Sequence, residues 1–300
     1  MDLSIVVLNY NTREHLRTCL QSLASEGSTS LGSGPIEAEL ILVDNASTDG
    51  SAEMVATEFP WATLIRSPRN VGFAAGNNLA LRRAAGDAIL LLNPDALIPR
   101  GGLAALLRRL QDHPEAGIVG PKLLRPNGSM HLACRRSFPT PAIAFYRISG
   151  LSLLFPRSAR FGRYNLTFAD PDQAREVDSV CGACMLVRRG VLERVGLLDE
   201  RFFMYGEDLD WCLRTREAGW TVRYEPSVVV QHQHGAASRK RALRTTYHFF
   251  RAMDLFYRKH YVHRYHPLVT GAVRTAIYGG LAVAMCRTLL TSPSQRRVGL

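Results

Sequence analysis

A short apolar run that ends on a carboxylate is the first feature of this sequence that could do chemistry. Residues 89–96 read Ile-Leu-Leu-Leu-Asn-Pro-Asp-Ala, so four aliphatic residues lead directly to Asn93, Pro94 and Asp95. Such a run is typical of a buried central strand of a parallel sheet, which Pro94 would end. In open α/β sheets, ligands bind at the carboxyl ends of the strands. Asp95 is therefore a candidate metal ligand, and a simple turn residue is the alternative.

Two further strand ends carry polar groups that suit a nucleotide. Asp44 follows the apolar run 40–43, and the segment 70–78 reads Asn-Val-Gly-Phe-Ala-Ala-Gly-Asn-Asn. A helix that begins after Gly and Asn is a natural phosphate site, because its free N–H groups and dipole favour an anion. Asp44 could instead be a turn residue, and Gly72 and Gly76 lack the third glycine of a dinucleotide fingerprint. With Asp95, these residues predict a nucleotide-diphosphate pocket.

Three carboxylates lie within four residues at a predicted helix start, with aromatic residues on both sides. They are Glu207, Asp208 and Asp210. Carboxylates near a helix N-terminus are favoured by the helix dipole, which would explain them without a function. Capping does not need three of them among aromatic residues, however. Asp210 faces a different direction along the helix, and we predict a structural role for it.

Two histidines, His232 and His234, stand one residue apart at the end of a predicted strand. Because side chains alternate along a strand, both point to the same face. One of them can complete a metal site with Asp95 while the other contacts a diphosphate. Exposed histidines on a loop are the alternative interpretation.

Alternating strands and short helices must position these groups. Apolar runs predict strands at 3–8, 40–43, 62–66, 89–92, 117–124, 219–224 and 228–230, and helical spacing predicts helices through 16–23, at 79–85 and at 101–112. Strands that alternate with helices indicate βαβ units. The predicted fold class is α/β, with a mostly parallel sheet flanked by helices.

Composition sets the outer limits on this interpretation. The chain has 300 residues, is 46% hydrophobic and has a formal charge of +11, which rests almost entirely on arginine. It is long enough for a large core, and its basic surface could meet nucleic acid, anionic lipid or a phosphorylated substrate.

The six cysteines show no secreted disulfide framework. Cys181 and Cys184 form a single Cys-x-x-Cys pair, which we interpret as small residues packed beside a site, with a zinc or redox role as the alternative.

Four successive motifs resemble the signatures of glycosyltransferase family 2 in their order and spacing. They are residues 4–11 (Ser-Ile-Val-Val-Leu-Asn-Tyr-Asn), 43–51 (Val-Asp-Asn-Ala-Ser-Thr-Asp-Gly-Ser), 70–78 and 92–96 (Leu-Asn-Pro-Asp-Ala). The resemblance covers about residues 3–238 and is greatest to bacterial rhamnosyltransferase-like enzymes. It implies a GT-A type (Rossmann-like) fold, an inverting mechanism and a nucleotide-sugar donor.

The resemblance also implies roles for single residues. Asp44 would bind the nucleoside and Asp95 the divalent metal on the donor diphosphate, while Gly182 and Ala183 would line the donor sugar, where a larger side chain would meet the ring. The family's usual Asp-x-Asp pair is reduced here to Asn93-Pro94-Asp95, so one carboxylate needs help from elsewhere. The predicted nucleotide-binding residues are Asn9, Tyr10, Asn11, Asp44, Asn70, Gly72, Phe73, Asn77 and Asn93.

The Glu-Asp motif of the family matches Glu207-Asp208. Inverting transfer needs a carboxylate that takes the proton from the acceptor hydroxyl as this attacks the anomeric carbon. We predict Asp208 as this base, with Glu207 next. His232, ahead of His234, is the predicted partner of Asp95 on the metal. The expected ion is Mg²⁺ or Mn²⁺, and an imidazole ligand favours Mn²⁺.

The sequence changes character after residue 236. We predict a glycosyltransferase domain at 1–238, with a nucleotide-binding half at 1–124 and an acceptor and catalytic half at 125–238, followed by a basic, aromatic helical extension at 239–300. The apolar run 268–290 contains Arg274, which costs about 2.5–3.5 kcal/mol at the centre of a membrane span. We therefore expect an interfacial segment. A buried helical hairpin is the alternative.

The predicted location is the cytoplasm, with peripheral attachment to the inner face of the cytoplasmic membrane. The chain opens with Met-Asp-Leu-Ser, without the basic region or small-residue cleavage site of a signal peptide.

The long segment 129–175 is basic and aromatic and lacks sustained periodicity, which predicts a surface excursion. Taken as a whole, this segment is where an acceptor would be selected. A lipid-linked acceptor would suit a segment that is both basic and aromatic.

These observations predict transfer of a sugar, foremost rhamnose from dTDP-rhamnose, to a bacterial cell-surface polysaccharide or its lipid-linked precursor. Another UDP- or GDP-sugar donor is the alternative. A nucleotidyltransferase would need a Gly-rich loop with Lys or Arg after the first strand, where this chain has Asn-Tyr-Asn-Thr. A nucleic-acid-binding protein ranks last, since no recognisable motif accompanies the basic charge, and no nucleic-acid partner is expected.

Overall fold

The structure is a computed structural model that describes residues 1–25, 36–233 and 242–290. His234 and the basic residues 239–241 therefore lie outside the described residues. The strands are β1 Leu3–Asn9, β2 Ala38–Asp44, β3 Thr63–Arg66, β4 Ala88–Leu92, β5 Ala96–Leu97, β6 Ala116–Leu124, β7 Arg135–Arg136, β8 Arg175–Glu176, β9 Ser179–Val180, β10 Cys184–Arg188 and β11 Thr221–His232.

Helices flank this sheet, and two further helices come after its last strand in the chain. They are α1 Arg13–Ser25, α2 Ser51–Glu58, α3 Phe73–Leu81, α4 Gly102–Asp112, α5 Pro141–Ile148, α6 Leu151–Leu154, α7 Arg189–Val195, α8 Glu207–Glu217, α9 Ala242–His260 and α10 Pro267–Leu290. The apolar stripe of α4 covers the sheet as its spacing predicts, with Leu103, Leu106, Leu107 and Leu110 buried.

The sheet has a parallel half and a mixed half, in the order β3-β2-β1-β4-β10-β6-β11-β5, with β8 paired to β11. The first four strands are parallel to one another. All residues of β1 and β4 are buried, because helices cover both faces, and this explains their continuous apolar sequence. The predicted α/β class is confirmed, with a mixed, mainly parallel sheet.

The mixed half brings distant segments to the end of β4. Strand β10 is antiparallel to β4 and pairs Cys184 with Leu92, so the preceding turn lies beside Asn93, whose amide donates to the Ala183 carbonyl at 2.9 Å. Strand β11 pairs antiparallel with β5, placing His232 opposite Ala96. Three separate chain segments therefore meet at the end of β4.

Two predicted boundaries are wrong. The helix predicted at 79–85 is α3, which begins at Phe73, because Gly72 (φ +91°) turns the chain and the next residues, Phe-Ala-Ala, continue as helix. The two predicted strands 219–224 and 228–230 form the single strand β11. Its pairing to β6 shifts in register between Glu225 and Val229, where Pro226 lacks the N–H that a regular ladder needs.

Helix α9 packs beside α8, and α10 packs along α9. Phe202 and residues of α8 and α9 form a second apolar cluster, and Arg274 of α10 pairs with Asp254 of α9 at 2.8 Å. A buried hairpin is the wrong interpretation of α10, since only Ile277 and Thr288 of it are buried. Within the described residues, α10 is the helix whose length and composition would allow it to cross a membrane. The domain boundary at 238 falls outside the described residues and stays a prediction.

Candidate active site

The meeting point of these segments is a cavity of about 540 Å³. Its polar end is formed by the loop after β4, the end of β11, the turn before β10 and the start of α8. The predicted site residues that line it are Tyr10, Asn70, Gly72, Phe73, Asn93, Asp95, Gly182, Ala183, Glu207, Asp208 and His232. Residues as far apart in the chain as Tyr10 and His232 therefore share one cavity.

Asn9, Asn11, Asp44 and Asn77 do not line this cavity but hold the turns beside it. Asn9 donates from Nδ2 to Asp44 Oδ1 at 3.2 Å, and the other Asp44 oxygen accepts from the Ser47 amide at 3.0 Å. Asn11, at a positive φ of 54°, accepts from the Thr48 amide at 2.7 Å. Asn77 donates to the Phe73 carbonyl at 2.9 Å. Contact of these residues with a nucleoside stays a prediction.

The turn before α3 is tied to the loop before α8. The Phe73 amide donates to the Phe203 carbonyl at 2.6 Å, and a Cβ on Gly72 would stand 2.5 Å from the same oxygen. Asn45 fixes the turn by donating to the Gly72 carbonyl at 3.3 Å and accepting from the Val71 amide at 2.9 Å. The first amide of α3, which a phosphate at this helix end would use, is therefore already bonded within the protein.

Asp95 and His232 form a buried pair whose separation suits a shared divalent ion. His232 Nε2 lies 3.2 Å from Asp95 Oδ1 and 3.4 Å from Asn93 Nδ2. Neighbouring ligands of an octahedral ion with bonds near 2.1 Å are about 3.0 Å apart. Mg²⁺ and similar ions commonly take one or two protein ligands and complete their shell with water and substrate phosphates. Across the described ranges, no group of three His, Cys, Asp or Glu side chains forms a metal cluster.

A second imidazole, that of His131, lies beside this pair and was not predicted from the sequence. Its ring centroid lies 5.4 Å from that of His232, with the planes 46° apart. His131 is buried, lines the cavity and begins the 3₁₀ turn Leu132–Cys134. The sequence around it has no motif or periodicity, so only the pairing of its amide with Leu123 of β6 reveals its position.

Asp208 is held as an ion pair within the cavity wall. Its Oδ2 accepts from Arg136 at 2.7 Å and from the Gly182 amide at 3.2 Å. Its Oδ1 accepts from the Leu209 amide at 2.7 Å. A carboxylate has about four acceptor directions, so roughly one remains for a further donor. Arg136 is a second residue that the sequence did not single out, because it is 72 positions from its partner.

Glu207 has the opposite surroundings. The residue is buried, and its Oε2 has no hydrogen-bond partner among the described residues. Burial, followed by the neighbouring charge of Asp208, raises the pKa of Glu207 to about 8 from an ordinary value of 4.5. Glu207 therefore favours its neutral form near pH 7 in the free protein.

Asp210 points away from the cavity into a buried ionic cluster. It binds Arg214 at 2.8 Å, Lys259 at 2.6 Å and His260 at 2.7 Å. Burial raises the pKa of Asp210, but the His260 hydrogen bond and the charges of Arg214 and Lys259 outweigh this effect and hold it below its usual value. The predicted structural role of Asp210 agrees with these contacts, which fasten α9 to α8.

The two closely spaced cysteines are both free thiols. Cys181 lines the cavity and Cys184 is buried in β10. Burial, then the charge of Asp208, raises the pKa of Cys181 to about 12. All six cysteines of the chain lie in the described ranges and are free, and Cys286 on α10 is exposed.

Comparisons with known proteins agree with this arrangement. Residues 4–196 match the family described as Glycosyl transferase family 2. The chain is 32% identical over 243 residues to the N-acetylglucosaminyl-diphospho-decaprenol L-rhamnosyltransferase of Mycobacterium tuberculosis, covering 77% of this chain and 75% of that one. It is 28% identical over 170 residues to the rhamnosyltransferase WbbL of Escherichia coli K12, covering 54% and 60%.

Solved structures show the same fold at lower identity. The S. aureus TarS 1-349 structure with UDP-GlcNAc has a TM-score of 0.58 at 17% identity and covers 98% of this chain and 74% of that one. The mannosyltransferase PcManGT of Pyrobaculum calidifontis, with GDP-Man and Mn²⁺, has a TM-score of 0.54 at 21% identity and covers 94% and 75%.

The fold and the site define an enzyme that transfers a sugar from a nucleotide-sugar donor, a hexosyltransferase with a GT-A-like sheet. The chain belongs to glycosyltransferase family 2. The family and fold predicted from the sequence motifs are thereby confirmed.

Proposed function

We propose that this enzyme is an inverting, metal-dependent transferase that moves rhamnose from dTDP-rhamnose to a lipid-linked glycan acceptor of bacterial cell-surface polysaccharide synthesis. One observation carries the proposal. The acidic pair Glu207-Asp208 and the pair Asp95-His232 line the same cavity, so a proton acceptor and a diphosphate-binding group serve one reaction centre.

Asp95 and His232 would hold Mn²⁺ or Mg²⁺, which stabilises charge on a departing nucleotide diphosphate. The Asn93 amide nitrogen lies 3.4 Å from the same Nε2 atom, a contact that metal binding would replace, and His234 is a second proposed ligand. Gly182 and Ala183 line the cavity, and their small side chains would leave room for the donor sugar. The proposed nucleoside-binding face is formed by Asp44 and its turn.

Asp208 is the proposed base. It accepts the proton from the acceptor hydroxyl as that oxygen bonds to the anomeric carbon and the bond to the diphosphate breaks. Arg136 and the Gly182 amide orient the carboxylate, and its remaining acceptor direction is open to the hydroxyl. Glu207, neutral at the start, limits the negative charge beside Asp208. Glu207 is the second candidate for the base.

The choice of donor and acceptor follows from the named relatives. Two of them are called rhamnosyltransferases, and the Mycobacterium tuberculosis protein is named for an acceptor linked through diphosphate to decaprenol. A lipid-linked acceptor requires the enzyme to work at a membrane surface, and we propose the inner face of the cytoplasmic membrane. The basic, apolar C-terminal region supports this location.

Donor turnover by the purified enzyme tests the proposal. A panel of nucleotide sugars is supplied with Mn²⁺, with Mg²⁺ or with a chelator, and wild type is compared with Asp208→Asn. We expect dTDP-rhamnose to be consumed only with metal, and Asp208→Asn to bind the donor but to lose turnover by at least about a hundredfold. Asp112→Asn, on the exposed end of α4, is the matched control and should keep full activity.

Consumption of a different nucleotide sugar would reject the rhamnose assignment and keep the enzyme class. Equal turnover with the chelator present would reject the role of Asp95 and His232 as metal ligands. Full activity of Asp208→Asn, with activity lost in Glu207→Gln, would transfer the base to Glu207.

A further inference from the structure

The cavity has a second end that the transfer reaction itself does not use. Beyond Asp208, its walls come from the loop before α5, from α5, and from α9 and α10. The apolar residues of this end are Pro139, Pro141, Ala144, Phe145, Ile148, Phe249, Ala252, Met253, Phe256, Ala272, Val273, Ala276 and Ile277. We call this end the apolar cleft.

Helix α5 exposes an apolar surface that no described part of the chain covers. No residue of α5 is buried, and Phe145 and Ile148 are 60% and 54% exposed although both line the cleft. On the opposite wall, Ala272 and Ala276 of α10 are also exposed. Apolar surface left in water is unfavourable by about 25 cal/mol per Å². A cleft with two such walls suits an apolar ligand.

The charges around the cleft favour a ligand that is also anionic. The chain has no Asp or Glu between Glu115 and Asp170, and none after Asp254. These two stretches supply α5 and α10, and every charged residue in them is basic. Arg147 of α5 lines the cavity, with its guanidinium 5.3 Å from the centre of the Tyr164 ring. Tyr164 is in turn an electrostatic neighbour of Arg136, the partner of Asp208, so this wall of the cavity carries a cationic group on the side that leads to Asp208.

We propose that the apolar cleft binds the isoprenoid chain of the acceptor and that Arg147 contacts the acceptor's diphosphate. This inference rests on the proposed transfer to a lipid-linked acceptor and adds the part of the chain that recognises the lipid. An isoprenyl diphosphate joins an apolar tail, an anionic group and a sugar, and the cavity offers a matching group for each of them in the apolar cleft, Arg147 and Asp208. The tail is held by α5 and α10 while the sugar hydroxyl reaches Asp208.

Binding of a polyprenyl diphosphate without a sugar tests the cleft independently of turnover. Ala276→Trp fills the cleft from α10, and Ile148→Ser removes apolar surface from α5 at a half-exposed position that the fold does not depend on. Ala282→Trp, exposed on the same helix and not part of the cavity lining, is the matched control. We expect Kd to rise about tenfold in the first two variants and to remain unchanged in the control.

The role of Arg147 is tested with two ligands that share one isoprenoid tail, a polyprenyl diphosphate and an uncharged polyprenol. Arg147→Gln should weaken binding of the polyprenyl diphosphate about tenfold and leave binding of the uncharged polyprenol unchanged. Unchanged diphosphate binding in Arg147→Gln would overturn the assignment of this residue. Unchanged binding in both Ala276→Trp and Ile148→Ser would overturn the apolar cleft as the tail site.

Turnover then separates this inference from the proposed function. With acceptors that share one sugar diphosphate but carry either a full isoprenoid tail or none, Ala276→Trp should raise KM for the tailed acceptor alone. An equal rise for both acceptors would contradict the inference. If wild type glycosylates neither acceptor but Ala276→Trp still weakens lipid binding, the cleft is supported and the proposed acceptor is wrong.

Discussion

Asp208 and Glu207 are neighbours in the chain, but their surroundings give the two carboxyl groups opposite chemical character. Asp208 accepts three hydrogen bonds, one of them from the Arg136 guanidinium. Glu207 is buried with an oxygen that has no partner among the described residues. Pairs of acidic groups whose environments differ in this way divide the roles of proton acceptor and neutral neighbour between them.

Glu207→Gln should stabilise the protein, and more so at pH 8 than at pH 5. Between pH 4.5 and about 8, folded Glu207 keeps a proton that the unfolded chain has lost, so the free energy of unfolding of wild type falls as the pH rises. Glutamine resembles the neutral acid and avoids this loss. We expect the advantage of the variant to grow by about 3 kcal/mol over this range, measured by urea unfolding. Glu193→Gln, on the exposed side of α7, is the control, and an equal advantage at both pH values would contradict the prediction.

Arg136 acts on the reaction through Asp208. Arg136→Gln should lower kcat by about a hundredfold with little change in the KM for the donor, because the carboxylate loses its orientation while the donor contacts remain. Arg136→Lys keeps the charge and should recover part of kcat, and the pH profile of kcat should differ between the two variants. A change in donor KM alone would show that Arg136 binds substrate instead.

At the scale of elements, the sequence predicted most of the long strands well, but not the two-residue strands or the turns that join them. The strands β1 and β4 are continuous aliphatic runs because both faces of the sheet are covered, and such runs are visible without a structure. The start of α3 was missed because it depends on Gly72 meeting Phe203, a contact made across more than a hundred residues. His131 and Arg136 were missed for the same reason, since long-range packing places both beside the site and no local motif marks them.

Adding a single methyl group at Gly72 should lower the stability of the protein strongly. Gly72→Ala combines a positive φ of 91° with a Cβ only 2.5 Å from the Phe203 carbonyl oxygen. Gly101→Ala has a similar positive φ of 77° but nothing within 4 Å, so it isolates the backbone strain. We expect a loss of about 1 kcal/mol in unfolding free energy for Gly101→Ala and of about 3 kcal/mol or more for Gly72→Ala. Similar losses in both variants would show that the Phe203 contact is unimportant.

At the scale of the whole molecule, charge is divided unevenly along the chain. Asp254 is the only acidic residue after Glu225, and it is paired with Arg274. The acid-free stretches include α5, α6 and α10, which also carry exposed apolar residues such as Leu153, Leu154 and Leu289. Basic charge beside exposed apolar groups is the combination that binds anionic membrane surfaces.

Sedimentation with lipid vesicles tests whether this distribution of charge and apolar residues promotes membrane binding. The full-length protein should bind vesicles that contain anionic lipid, bind neutral vesicles less, and lose binding as salt is raised. Arg157→Glu and Arg163→Glu, both exposed after α6, should each reduce binding several-fold. Arg108→Glu, exposed on α4, makes the same change of charge outside the acid-free stretches and should have a smaller effect. Equal binding to both kinds of vesicle would contradict an electrostatic contribution.

Because the exposed thiol of the protein lies on α10, the position of this helix relative to a membrane can be measured without mutating the protein. Cys19, Cys134, Cys184 and Cys212 are buried, and Cys181 is a half-buried thiol whose pKa is raised to about 12, while Cys286 is exposed on α10. Because alkylation requires an accessible thiolate, a spin label or fluorophore will attach to Cys286 without any engineered substitution. Depth-dependent quenching of that label would then report whether α10 lies on a bilayer, enters it or stays in water.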